Sequence, residues 1–242
     1  MCEFIVLLIF HLAGDFYLQT TKIARCKNAC IGEHCNQCKK CKSSSWINYK
    51  YILLHSVLYI FPFFALPIVM KTKSVWLLLV TIFLSHLLID IISCFFNKKI
   101  KNTIVFIVDQ AIHLGILYII SLYVTLSADI DIYYNRIKFI CMVLLIIMPS
   151  SIFINMLIAD INPDEKGDGL FDIGSMIGIM ERILTIIFAS VNNYSAIAII
   201  ITVKTWARNN DLKDGKFRNK YLLGTLTSLV LSLLIYMLYK YI

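Results

Sequence analysis

Long apolar runs alternate with short polar breaks along most of the chain. A bilayer-crossing helix needs about 20 mostly apolar residues. Eight stretches come close to that length: 3–20, 48–70, 74–96, 102–126, 137–158, 172–190, 194–209 and 219–241. The seventh is short, and the break before it, Val191-Asn192-Asn193-Tyr194, is a small polar turn. The pattern predicts an all-α polytopic transmembrane bundle of seven or eight spans, built as a single integral membrane domain over residues 1–242. Only one connection is long, the segment 22–47. The N-terminal run has no basic leader and no small-residue cleavage site, so it reads as a retained span and not a signal peptide.

Composition supports this reading. Of 242 residues, 59% are hydrophobic and 16% charged, and the mean hydropathy is +0.77. Soluble domains average about 45–50% apolar and about 25% charged residues. A soluble globular domain, a disordered chain and a disulfide miniprotein are therefore excluded. The net charge of +8 would suggest nucleic acid in a soluble protein, but its location gives another meaning. The first, third, fifth and seventh connections, with Lys50 just beyond the first, carry sixteen Lys and Arg, and the second, fourth and sixth carry four. By the positive-inside rule the odd connections face the cytoplasm and the N-terminus lies outside. No nucleic-acid partner is expected; the bilayer is.

The polar exceptions inside the spans carry the chemistry. His11, His55, His86 and His113 fall within predicted spans, as do Asp15, Asp90 and Asp109. A charged side chain at the bilayer centre costs roughly 2.5–3.5 kcal/mol on insertion scales, so seven ionisable groups in four spans need a reason. His11 and Asp15, His86 and Asp90, and Asp109 and His113 are each four residues apart. Such pairs share one helix face. Under the predicted topology each Asp lies on the cytoplasmic side of its His, and all seven groups share one slab of the inner half of the membrane. Imidazole and carboxylate in a helical bundle suit Zn, Mn or Fe, as one ion or two. The bland alternative is interhelical hydrogen bonding. Asp15, Asp109 and Glu181 are candidate catalytic acids or bases, and Gln19 and Gln110 could orient substrate or ligands. Glu181 could instead pair internally with Lys204 or Arg208.

The long connection contains Cys26, Cys30, His34, Cys35, Cys38 and Cys41. Four thiolates, or three and an imidazole, make a closed structural Zn site; close Cys spacing can also hold an iron–sulfur cluster. A cytoplasmic location argues against disulfides.

"HLAGDFYLQ" (11–19), "LLHSVLY" (53–59), "SHLLID" (85–90) and "DQAIHL" (109–114) resemble the first half of the domain of unknown function 3307 family. "GSMIGIMERIL" (174–184), "KTWAR" (204–208) and "YLLGTLTS" (221–228) resemble its second half. The resemblance implies a multi-spanning protein of a prokaryotic cytoplasmic membrane. The Cys-rich segment looks like an insertion in that pattern, and Lys220 stands where the pattern tends to be acidic.

Together these features suggest a membrane-embedded metal-dependent hydrolase acting on a lipid-linked or amphiphilic phosphoester or ester near the cytoplasmic leaflet. The alternatives are a divalent-cation or proton transporter using the same residues, and a non-enzymatic membrane partner or assembly protein.

Overall fold

A computed structural model describes residues 1–28, 46–71, 74–96, 100–127, 131–161 and 173–241. Helix dominates, as the apolar runs require: a backbone in hydrocarbon must satisfy its own N–H and C=O groups. The chain forms two compact units, Met1–Cys141 and Met142–Ile242.

The first unit opens with α1 (Cys2–Leu12), which continues as a π-helical turn over Ala13–Tyr17. Helix α2 (Thr21–Asn28) follows. Next come α3 (Trp46–Ile60), a 3₁₀ turn (Phe61–Ala65), α4 (Leu66–Val69) and the short strand β1 (Met70–Lys71). Pro62 and Pro67 are the second residues of the 3₁₀ turn and of α4, within the first turn, where a missing N–H is harmless. Helices α5 (Val75–Phe96) and α6 (Asn102–Ser121) complete the bundle. The fourth predicted span was expected to run to residue 126. Its end is instead the strand β2 (Thr125–Leu126), antiparallel to β1 with Met70 opposite Leu126. That pairing ties together the ends of two neighbouring helices.

Burial follows helical periodicity. On α5, Leu79, Ile82, His86, Ile89 and Asp90 are buried, whereas Leu77, Val80, Leu84 and Leu88 are exposed. Both faces are apolar, so the exposed one suits lipid and not water. The antiparallel helices sort the unit into two layers. Near the β1–β2 end, Leu7, Tyr59, Phe63, Leu66, Ile82 and Leu117 form an apolar core. Near the α2 end, the same helices carry the buried His and Asp residues.

The second unit contains most of α7 (Tyr134–Ile161), α8 (Ile173–Ser190), α9 (Tyr194–Ala207) and α10 (Gly215–Tyr241). Met142, Ile146 and Ile186 form its core against Ile235, Tyr236 and Tyr239. Pro149 interrupts the α7 ladder because it has no N–H for the carbonyl of Leu145. The Ser150 hydroxyl donates to that carbonyl instead, at 2.8 Å.

Six helices among the described residues are long and apolar enough to cross a membrane. Two of the eight predicted spans fall short of that length. Helix α9 has 14 residues, or about 21 Å at 1.5 Å per residue, against a hydrocarbon core of about 30 Å. The N-terminal run is an 11-residue α-helix and a 5-residue π-turn. It ends at Tyr17, three residues before the predicted boundary.

Candidate functional site

Four helices of the first unit, α1 with its π-turn, α3, α5 and α6, bring His11, Asp15, His55, His86, Asp90, Asp109 and His113 into one cluster. His11 and His55 are fully buried, and His86, Asp90 and His113 nearly so. At its centre the Nε2 atoms of His55 and His86 lie 3.2 Å apart. His55 Nε2 is 3.0 Å from Asp15 Oδ1 and 3.5 Å from Asp90 Oδ2. His86 Nε2 is 3.4 Å from Asp90 Oδ2, and His113 Nε2 is 4.0 Å from Asp90 Oδ1. Two groups have the geometry to hold an ion: Asp15, His55 and His86, and His86, Asp90 and His113. Ligand atoms about 2.0–2.1 Å from a tetrahedral ion stand about 3.4 Å from one another. The separations given above, 3.0 to 4.0 Å, bracket that edge length.

The cluster leaves protein atoms wanting partners. His55 Nδ1, His86 Nδ1, Asp90 Oδ2 and His113 Nε2 are buried without a hydrogen bond. An unsatisfied buried polar atom costs about 1–3 kcal/mol. An ion would satisfy Asp90 Oδ2 and His113 Nε2 together with the facing Nε2 atoms of His55 and His86.

The remaining predicted residues have other contacts. His11 Nε2 lies 3.1 Å from Gln110 Oε1, and its Nδ1 lies 3.2 Å from the Tyr59 hydroxyl. The amide oxygen can only accept, so the bonding assigns the proton to Nε2, with Tyr59 donating to Nδ1. His11 is thus occupied on both nitrogens. Gln110 Nε2 donates to Asp15 Oδ2 at 2.8 Å and to Asp109 Oδ2 at 3.2 Å. Asp109 also accepts from Ser93 Oγ at 2.5 Å and lies 3.7 Å from His113 Nε2. Gln19, with its amide turned to satisfy both ends, donates to the Asp15 backbone carbonyl at 2.8 Å and accepts from the Ala24 N–H at 3.2 Å. It fastens the π-turn to α2 and does not reach the carboxylates.

The four-residue spacing works for His86–Asp90 and Asp109–His113, which stay within 3.7 Å. His11 and Asp15 meet through Gln110 because the π-turn between them rotates Asp15 away from the α-helical position. Gly14 explains how that turn packs. A Cβ there would stand 2.5 Å from the Tyr59 carbonyl oxygen, so only glycine lets α1 approach α3 this closely.

Three contributors escaped the sequence reading. Lys27 of α2 reaches Asp90 Oδ1 at 2.9 Å and Asp15 Oδ1 at 4.0 Å. Burial works against its charge, but Asp90, Asp15 and Asp109 outweigh it and raise the pKa above the ordinary lysine value. Tyr59 stacks flat on His86, with centroids 3.5 Å apart and planes 5° from parallel. Ser93 anchors Asp109. Lys27 was legible only as one of several loop charges, Tyr59 only as the last residue of "LLHSVLY" with no role attached, and no local pattern pointed to Ser93.

Of the Cys-rich ligands, Cys26 is buried on α2; Cys30, His34, Cys35, Cys38 and Cys41 lie outside the described residues. Glu181 belongs to the second unit and forms an ion pair with Lys204 at 2.6 Å, the internal pairing considered from sequence.

No curated protein and no solved structure matches this chain. A family model described as "Protein of unknown function (DUF3307)" matches residues 4–141, which end where the first compact unit ends and include all seven clustered residues. The motifs at 174–184, 204–208 and 221–228 lie beyond the matched residues. The chain belongs to the DUF3307 family of proteins of unknown function.

Proposed function

We propose that the first unit is a membrane-embedded divalent-metal centre with hydrolase activity toward a lipid-linked or amphiphilic phosphoester or ester. The observation that carries this reading is the convergence of three imidazole Nε2 atoms on Asp90, with Asp15 beside His55. Charge supports it. Among the described residues Asp15, Asp90 and Asp109 face one ammonium, Lys27, which leaves two formal negative charges for a divalent cation to balance. The bound ion would be Zn, Mn or Fe, and such an ion lowers the pKa of a bound water to about 7. Asp15 and Asp109, bridged by Gln110, are the carboxylates available to accept a proton. Lys27 offers a cation to an anionic substrate group. With the odd connections cytoplasmic, the cluster lies toward the inner leaflet, and β1–β2 joins the second and fourth connections at the opposite end.

A transporter is the second reading. It is favoured by the π-turn at Asp15, since local helix breaks accompany ion sites in transporters. The test is metal analysis of the purified full chain, with the loop cysteines replaced by Ser, alongside His86→Ala and Asp90→Asn. The expected result is bound metal in the parent and loss in both variants. Metal-dependent phosphate release from phosphatidic acid, or cleavage of a nitrophenyl ester in mixed micelles, then supports the hydrolase. Flux into proteoliposomes without turnover would reject it for the transporter. Absence of metal from a folded parent would overturn both metal-based readings.

A further inference from the structure

The second unit contains a cavity of about 200 Å³ that the metal chemistry does not use. A single water needs about 10–15 Å³ by this kind of measure, so a small polyatomic ion has room. The walls come from the C-terminal part of α7, the start of α8, the end of α9 and the start of α10. The cavity therefore sits at one end of the unit. Among the described residues its charge is one-sided: Arg182, Lys204, Arg208 and Lys220 line it, with Glu181 as the acidic lining residue. Glu181 is already engaged by Lys204 at 2.6 Å.

Arg182 is the decisive group. It is 3% exposed, and the atoms that accept its hydrogen bonds among the described residues are neutral oxygens. Nε donates to the Ile146 carbonyl at 2.8 Å, and Nη2 donates to the Ile147 carbonyl at 3.4 Å and to the Ser151 hydroxyl. Nη1 donates to Ser228 Oγ at 3.4 Å. Among the described residues no carboxylate lies within ion-pair distance of Arg182. Gly178 packs beside the guanidinium, where a Cβ would meet Nη1 at an ordinary contact distance of 3.4 Å. A buried cation held by neutral acceptors calls for a counter-charge. Guanidinium groups with lysine and hydroxyl neighbours match the oxygens of a phosphate.

We propose that this cavity binds a phosphate-class anion, with Arg182 and Arg208 as its charged contacts. The phosphate is either a lipid headgroup or free phosphate. This inference does not depend on the metal reading, because every residue in it belongs to the second unit.

The test uses the full chain in detergent micelles, with inorganic phosphate, dioleoyl phosphatidic acid and dioleoylglycerol as probes, and binding read by native mass spectrometry and calorimetry. At least one phosphate-bearing probe should bind at least about tenfold more tightly than dioleoylglycerol, which has the same tails and no phosphate. Tighter binding of phosphatidic acid than of phosphate assigns the headgroup as source, and equal or tighter binding of phosphate assigns the free ion. Arg208→Gln, at the half-buried end of α9, should weaken binding about tenfold or more, as should Arg182→Met where it folds. Arg136→Gln, an exposed cation outside the cavity, should leave binding unchanged. The proposal is overturned if neither anion exceeds dioleoylglycerol, or if Arg208→Gln leaves both affinities within about twofold.

Discussion

Replacing Lys27 by Met removes the ammonium that, among the described residues, faces the buried carboxylates while keeping a long apolar stem. In the folded chain that ammonium is 2.9 Å from Asp90 and 4.0 Å from Asp15, whose side chains are 1% and 7% exposed. Breaking a buried pair costs about 3–5 kcal/mol, because the partner charge is left behind without compensation. A chain of this size loses about 2–4 °C of Tm per kcal/mol. In chelator, Lys27→Met should therefore unfold about 6–20 °C below the parent. A divalent ion held by the cluster reverses part of the loss. At one hundred times Kd it contributes about 2.7 kcal/mol, and the variant should gain more than the parent because the ion also replaces the missing cation. The assay is far-UV circular dichroism of the full chain in detergent, in chelator and in graded Zn²⁺ or Mn²⁺, with the loop cysteines changed to Ser. An unchanged Tm in chelator would refute the charge argument. A loss that neither metal restores would refute the ion.

Four further outcomes are expected. Gly14→Ala places a Cβ 2.5 Å from the Tyr59 carbonyl and should cost about 1–3 kcal/mol, read as a lower Tm with weaker metal binding; an unaltered melt would contradict the close approach. Tyr59→Phe loses the hydroxyl contact to His11 but keeps the ring on His86, so it should cost about 1 kcal/mol, whereas Tyr59→Leu should also weaken metal binding, as titration would reveal. Ser151→Ala removes an acceptor from buried Arg182 and should lower stability by about 1.5–3 kcal/mol; denaturation equal to the parent's would show that the hydroxyl is dispensable. The raised Lys27 pKa contributes stability that is full below the unfolded lysine value of about 10.4 and fades as pH rises through the higher folded value. The gap between parent and Lys27→Met should accordingly shrink in strongly alkaline melts, and a gap that grows there would reverse the sign.

Much of the site could be read from the chain because its signal is one of scarcity. Ionisable residues in long apolar runs are few, and their four-residue spacing fixes two of the three pairs to one helix face. The pairing of His11 with Asp15 could not be read this way. A π-turn is a choice the backbone makes when Gly14 packs on Tyr59, and nothing in the local hydrophobic pattern distinguishes it from an α-turn. Lys27 was hidden for a different reason. In sequence it is one of several basic residues of a connection, and only the position of α2 turns it inward to Asp90. In the second unit, Pro149 and Ser150 are an ordinary dipeptide until the missing Pro149 N–H leaves the Leu145 carbonyl for Ser150, while Arg182 from another helix reaches the neighbouring Ile146 carbonyl.

By itself the sequence determined the all-helical class, the presence of helices apolar enough to cross a membrane, the family and the seven ionisable residues of the cluster. Those follow from periodicity and transfer energetics, which act along the chain. Tertiary structure decided which atoms face one another: Nε2 of His55 against Nε2 of His86, His11 held by Tyr59 and Gln110, Asp90 shared with Lys27. It also limited the helices long enough to span to six among the described residues and gathered Arg182, Lys204, Arg208 and Lys220 of the second unit around one cavity. The physical reason is range. Hydrophobic burial needs only the residue type and the helical period, whereas coordination and ion pairing depend on separations of a few ångströms between helices far apart in sequence.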